Sequence, residues 1–273
     1  MAANRHSVGF IGAGNMAGAL VKGLIASGIH PAAEIICSDV DARQLARLRR
    51  RYGISTTREN SEVAKTAKVV VLAVKPQIID AVLAGLRGVA AQRTLFLSIA
   101  AGVTTKRLEQ RLGGRPRVLR AMPNTPALLG RGMSVLVRGK HATAADERLG
   151  LRLLRAVGAA RAVPREKLLD AVTGLSGSGP AYVYRFAEGL IAGGVAAGLT
   201  KDVAAELAFQ TIAGAAAMLQ ESGESPDVLR ARVTSPGGTT LAGLEELERR
   251  GFHDAVVAGV EAATRRSIEL GKS

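Results

Sequence analysis

Seven residues, Lys68–Val74, read KVVVLAV, a nearly unbroken β-branched run. A run with no polar side predicts a strand covered on both faces, the condition of a central strand in a parallel sheet. The segments around it repeat one pattern. Further strands are predicted at Ser7–Ile11, Glu34–Ser38, Thr94–Ile99, Arg117–Met122, Met133–Arg138 and Ala159–Val163. Helices are predicted between them at Asn15–Ser27, Asp41–Tyr52, Pro76–Leu86, Thr104–Leu112 and Ala144–Val157. Alternation of this kind implies an α/β fold with a doubly wound, mainly parallel sheet and helices on both faces.

Beyond Val163 the strand signal stops. Helices are predicted at Leu168–Thr173, Pro180–Gly198, Lys201–Ser222, Pro226–Thr234, Thr239–Arg250 and His253–Leu270. Two of them, containing AEGLIAGGVAAGL and ELAFQTIAGAAAML, are apolar on more than one face and must be buried. A domain of about 110 residues has too little interior for them all. The sequence therefore predicts two domains, 1–163 and an all-α 164–273, with an oligomer built through the second. The boundary falls at Pro164, where the charge also changes sign. Residues 1–163 carry 26 Lys and Arg against 9 Asp and Glu, a balance of +17. Residues 164–273 carry 11 against 14, a balance of −3, and the two make up the net +14 of the 273-residue chain.

A basic half attracts polyanions, whether nucleic acid, anionic lipid or a phosphate-rich cofactor. Apart from the cluster Arg47, Arg49, Arg50 and Arg51, the basic residues spread along helices as a solvated surface would. With 3 Tyr, 5 Phe and no Trp, few rings could stack on bases, and no nucleic-acid partner is expected. No apolar run is expected to reach the roughly 18 residues of a membrane span. The first residues show no charged segment followed by an apolar one, so no secretory signal is expected. A single cysteine, Cys37, can form neither an intrachain disulfide nor a multi-cysteine zinc site. A cytoplasmic protein without a metal is the expectation.

GAGNMA, Gly12–Ala17, follows the first strand and opens the first helix. Gly12 permits the tight turn, Gly14 lets a pyrophosphate approach the backbone, and Ala17 is small enough for helix–strand packing. Ala13, Asn15 and Met16 complete a helix start whose N–H groups and partial positive charge suit phosphate. Inside a βαβ unit this spacing specifies a dinucleotide-binding domain of the Rossmann type. Asp39, ending the second strand, is placed to accept from adenosine ribose hydroxyls and argues for NAD, whereas Arg43 and the basic domain argue for NADP. Asp39 could instead cap the helix that follows it. AVKP (Ala73–Pro76), SIAAGV (Ser98–Val103) and AMPNTP (Ala121–Pro126) all end strands, at the edge where open α/β sheets bind ligands. GLSGSGPAY (Gly174–Tyr182) and TSPGGTT (Thr234–Thr240) combine glycine, hydroxyls and proline in loops able to hold a carboxylate.

In their order and spacing, GAGNMA, AVKP, AMPNTP, GLSGSGPAY and SPGGTT resemble pyrroline-5-carboxylate reductase, from Val8 to about Leu270. The resemblance implies reduction of the cyclic imine 1-pyrroline-5-carboxylate to L-proline with NADPH or NADH. It implies a Rossmann domain and a helical dimerisation domain, hence a homodimer, with a ring of dimers (a decamer) as the larger assembly. It also implies that Gly12–Ala17 hold the pyrophosphate and that Asp39 and Asn60 contact the cofactor. Ala73, Val74, Lys75, Pro76, Ile99, Ala100, Ala101 and Asn124 would line the nicotinamide side. The substrate would lie against Val233–Thr240 of a neighbouring subunit, with Val233, Ser235, Gly238, Thr239 and Thr240 in contact and Glu166 close by. The chain departs from the family at Leu229-Arg230-Ala231, where LKD is common, and at Asp39-Val40, where Asn-Arg or Ser-Pro is common.

That reaction needs a hydride donor held against the ring, a carboxylate anchor and a hydrogen-bond donor to the imine nitrogen. Thr240 is the expected donor, the backbone amides of Gly238 and Thr239 the expected anchor, and Lys75 a nearby positive charge. No histidine is required, and His6, His30, His141 and His253 lie outside every motif. Cys37 reads as a buried apolar residue rather than a nucleophile. Two alternatives compete: another imine or β-hydroxyacid reductase on the same scaffold, and a basic nucleotide-sensing nucleic-acid binder. A hydroxyacid dehydrogenase normally places a lysine in the helix after its GSG-type loop, and Pro180–Gly198 has none.

Overall fold

The computed structural model describes residues 6–90 and 94–271. The first compact unit runs through Gly177 and takes back the chain from Ala263; the second is Ser178–Ala262. The compact first unit thus continues past the domain boundary expected at 163. The apolar side chain of Leu169 is the reason: it is fully buried with Val135 and Val137, and it carries the following turn, Thr173–Gly177, with it.

The first unit is an eight-stranded sheet. Its strands are β1 (His6–Ile11), β2 (Ile35–Ser38), β3 (Ser55–Thr57), β4 (Ala67–Leu72), β5 (Leu95–Ser98), β6 (Arg117–Met122), β7 (Gly132–Arg138) and β8 (Gly158–Ala162). They lie in the order β3-β2-β1-β4-β5-β6-β7-β8. All neighbours are parallel except β6 and β7. The order reverses direction between β1 and β4, the switch point at which such sheets open a ligand crevice. Its helices are α1 (Asn15–Ala26), α2 (Ala42–Tyr52), α3 (Asn60–Thr66), α4 (Ile79–Leu86), α5 (Thr105–Leu112), α6 (Ala144–Arg155) and α7 (Leu168–Val172).

The β-branched run is the centre of the sheet, as its composition demanded. Val69 and Val71 join one core with Val8, Phe10, Leu20 and Leu48. Val70 and Leu72 join another, on the opposite face, with Ile79, Leu83 and Leu108. β3 and α3 were not predicted. Ser-Thr-Thr carries no large apolar residue, and α3 is held by the burial of Val63 and Ala64 alone.

The second unit contains α8 (Gly179–Ala196), α9 (Lys201–Glu221), α10 (Pro226–Arg232), α11 (Thr239–Arg249) and the first part of α12 (Phe252–Leu270). Ala187, Ala204 and Ala208 are its only buried residues. Val203, Leu207 and Met218 fall on one face of α9, and all three are exposed. Contrary to the sequence expectation, α9 is long and apolar enough, by length and composition, to cross a membrane. The reason is its seven alanines, which raise the average hydropathy while contributing little apolar area.

Candidate active site

In the first unit, the C-terminal ends of β1, β2, β4 and β5 are fastened to one another. The Gly12 N–H donates to the Ser38 carbonyl at 2.8 Å, Ala73 N–H to Ile11 at 2.8 Å, and Ile99 N–H to Leu72 at 3.1 Å. Gly12 has φ +102°, and a Cβ there would stand 2.6 Å from the Ala73 carbonyl oxygen. No residue but glycine tolerates both the angle and that approach. Gly14 differs. It has ordinary extended angles, caps α1 without a side chain, and a Cβ on it would project into open space. The α1 N–H groups at Asn15, Met16 and Ala17 have no partner within the helix. The edge therefore presents uncapped N–H donors and a positive helix end above a space without side chains. That fits a pyrophosphate, so the residues present suit a dinucleotide.

The structure also reassigns some expected donors. Ala13 N–H, counted with the pyrophosphate loop, is already bound to Asp39 Oδ2 at 2.6 Å. Asp39 Oδ1 accepts from Asp41 N–H at 2.8 Å. Asp39 is therefore a brace between the β1 and β2 turns. It is not the cap of α2; that is Asp41, which accepts from Arg43 N–H at 2.8 Å. Asn60, at the start of α3, accepts from the buried Ser38 hydroxyl through Oδ1 at 2.7 Å and so stands at the same edge. Ala73, Val74 and Ile99 are half-buried, Ala100 is buried, and Ala101 is exposed. Lys75 is exposed at the start of the Pro76–Ile78 turn. Asn124 follows β6, where its amide donates to Ser176 and its Oδ1 accepts from Met133 N–H at 2.8 Å. It ties two of the motif loops together.

Glu166 joins the β6 and α5 region. Its carboxylate accepts from Thr105 N–H at 2.8 Å, from Thr105 Oγ1 at 2.7 Å and from Arg120 Nη1 at 2.9 Å. Arg120 is buried in β6. This clasp closes the base of the loop carrying Ile99–Ala101, and sequence reading missed two of its three members. The second arginine of the strand RVLRAM, on the same face as Val118 by alternation, was the available signal. Cys37 lies under the glycine turn with Sγ 3.7 Å from the Gly12 carbonyl. Burial pushes its thiol up to about 12, with the Asp39 charge adding to the effect, so it stays protonated and is no nucleophile.

In the second unit, the 233–240 loop turns through Gly237, at φ +69°. Gly238 N–H donates to the Ser235 carbonyl at 3.0 Å. That N–H is therefore already engaged, contrary to the expectation that it would anchor the substrate carboxylate. Gly238 serves by lacking a Cβ, which would lie within contact of the Ser235 hydroxyl. It also caps α11 without a side chain, leaving Thr239 and Thr240 N–H as open donors at a helix start. Val233, Ser235 and Thr239 are exposed and Thr240 is half-buried.

Comparison with known proteins agrees with this geometry. Residues 166–270 match the family model described as pyrroline-5-carboxylate reductase dimerisation. Residues 7–102 match the model described as NADP oxidoreductase, coenzyme F420-dependent. The chain is 44% identical to a pyrroline-5-carboxylate reductase of Synechocystis over 97% of this chain and 98% of that one. Its fold is similar to a solved pyrroline-5-carboxylate reductase of Coxiella burnetii, with a TM-score of 0.93, 38% identity, and 99% and 100% of the two chains covered. It is also similar to the Plasmodium falciparum enzyme solved with NADP bound, with a TM-score of 0.87, 31% identity, and 98% and 99% covered. With the nucleotide edge, the SPGGTT loop and near-complete coverage in agreement, the chain belongs to the pyrroline-5-carboxylate reductase family.

Proposed function

We infer that this chain reduces 1-pyrroline-5-carboxylate to L-proline with NAD(P)H, the last step of proline biosynthesis. The observation that carries the reading is the uncapped start of α1 at the β1/β4 switch point in a chain of this family. The bound reduced nicotinamide supplies the hydride. Everything else is the work of the chain. Asn15, Met16 and Ala17 N–H groups hold the pyrophosphate, with Gly12 and Gly14 giving it access. Ala73–Pro76 and Ile99–Ala101 wall the nicotinamide side, and Asn124 fixes the loop beneath.

The substrate carboxylate binds at the α11 start through Thr239 and Thr240 N–H, and Lys75 adds positive charge. The Thr240 hydroxyl donates to the ring nitrogen and keeps the imine polarised while C5 is reduced. Little proton traffic is needed, because a protonated imine is already electrophilic. The 233–240 loop is supplied by a second copy, whose exposed apolar helices are the reason to assemble. We read the larger assembly as a ring of dimers, and place the enzyme in the cytoplasm, where a diffusible reduced nicotinamide is at hand.

The direct test is oxidation of NADPH and of NADH with 1-pyrroline-5-carboxylate as substrate. Thr240→Ala is expected to lower kcat by about a hundredfold, the scale on which losing one preorganised donor acts, while cofactor affinity changes much less. Wild-type turnover in that variant would remove Thr240 from the mechanism.

A further inference from the structure

We propose that this chain selects NADPH over NADH, and that Arg58 makes the selection by receiving the 2′-phosphate of the adenosine ribose. The inference rests on the dinucleotide site described above and adds to it a residue that none of the motifs contains.

The usual reading of an acidic residue at the end of β2 is that it binds the ribose diol and repels a 2′-phosphate. Here that carboxylate has another task. Both oxygens of Asp39 accept backbone N–H groups, from Ala13 and from Asp41. Asp39 therefore braces the glycine turn whichever cofactor binds, and its presence alone does not select NADH. The second carboxylate of this turn, Asp41, is engaged by the N–H of Arg43. Between the two carboxylates, Val40 is uncharged and 81% exposed, so the surface over the turn is open.

Arg58 lies in the turn between β3 and α3 and reaches across to that surface. Its Nη2 is 3.5 Å from the Val40 carbonyl oxygen, at the long limit for a hydrogen bond. A guanidinium has five N–H donors, and this weak contact occupies one. Arg58 forms no ion pair among the described residues, although Glu59 is its neighbour in the chain. A planar, permanently charged fork without a carboxylate partner, at the end of β2, suits bidentate binding of phosphate. Arg43, exposed in the first turn of α2, adds a second positive charge to the same edge.

Titration with adenosine 2′,5′-bisphosphate and with 5′-AMP isolates the phosphate from the rest of the cofactor, and fluorescence of bound NADPH and NADH repeats the comparison on the whole molecule. The wild-type protein is expected to bind the bisphosphate about tenfold or more tightly than 5′-AMP, the effect of one charge-assisted contact. Arg58→Gln is expected to remove about tenfold from bisphosphate and NADPH binding while 5′-AMP and NADH change by less than about twofold. Retained 5′-AMP binding shows that the variant is folded. Equal wild-type binding of the two nucleotides overturns the selection and leaves the dinucleotide site standing; binding of neither cofactor overturns both. A loss in Arg58→Gln that is the same for all four ligands, or a selective loss found in Arg43→Gln instead, also overturns the role given to Arg58.

Discussion

In the first unit, Val8, Phe10, Val70, Leu72 and Leu97 are all within a few per cent of complete burial. In the second, three alanines are the only buried residues, while Leu207, Phe209 and Met218 are each about half or more exposed. Both units are rich in apolar residues, so composition does not separate them. What separates them is where the apolar area goes. A sheet with helices on both faces closes its own interior. Helices built from alanine and glycine pack closely at α8 and α9 and leave their larger side chains outward, for a second chain to cover. The match to a dimerisation family over 166–270 supports a dimer of this chain.

The largest effect should come from the self-sufficient unit. Phe10→Ala opens a cavity between β1 and the α1 side of the sheet and should cost about 3–5 kcal/mol. Urea unfolding should give the same cost at every protein concentration. A cost that shrinks on dilution would show that the first unit also depends on its partner. The converse substitution, Leu207→Asp, changes a residue that is 54% exposed in the single chain. It should leave nucleotide binding intact and weaken dimerisation by about a hundredfold, or about 2.7 kcal/mol, as a buried charge at an interface does. Sedimentation across a dilution series reads this directly. A dimer of unchanged affinity would move the interface away from this face of α9.

The sequence made the first unit legible because period and composition agree there. KVVVLAV, the glycine turn and the alternation each specify a parallel sheet, and the strands appeared within a residue or two of their expected places. β3 and α3 were invisible because they are short and carry few apolar residues, none in β3 and only Val63 and Ala64 buried in α3. Site roles were less legible than site positions. Asp39, Asn124 and Glu166 are each engaged by a residue distant in the sequence, Ala13, Met133 and Thr105, and Gly238 by Ser235 of its own turn. A motif records which residues are needed, and hydrogen bonds decide which of their atoms remain for a ligand.

The smallest predicted effect concerns the chain end, where the two patterns meet in one helix. α12 begins within the second unit, but from Ala263 onward it belongs to the first. The buried Ser267 is the polar tie: its Oγ donates to Asp170 Oδ1 of α7 at 2.8 Å. A hydrogen bond to a charged acceptor contributes about 1.5–3 kcal/mol, and Asp170 is only half-buried, so water can replace part of it. Ser267→Ala should therefore cost about 1–2 kcal/mol. The cost should appear as faster amide exchange in residues 263–270 and quicker tryptic cleavage at Arg265 and Arg266, with dimer affinity unchanged. Asp170→Asn keeps an acceptor and should do less. If exchange in this segment stays at its wild-type rate in both variants, apolar packing alone holds the end of α12. If dimer affinity falls with it, the contrast between a self-closed unit and a partner-closed one does not extend to this helix.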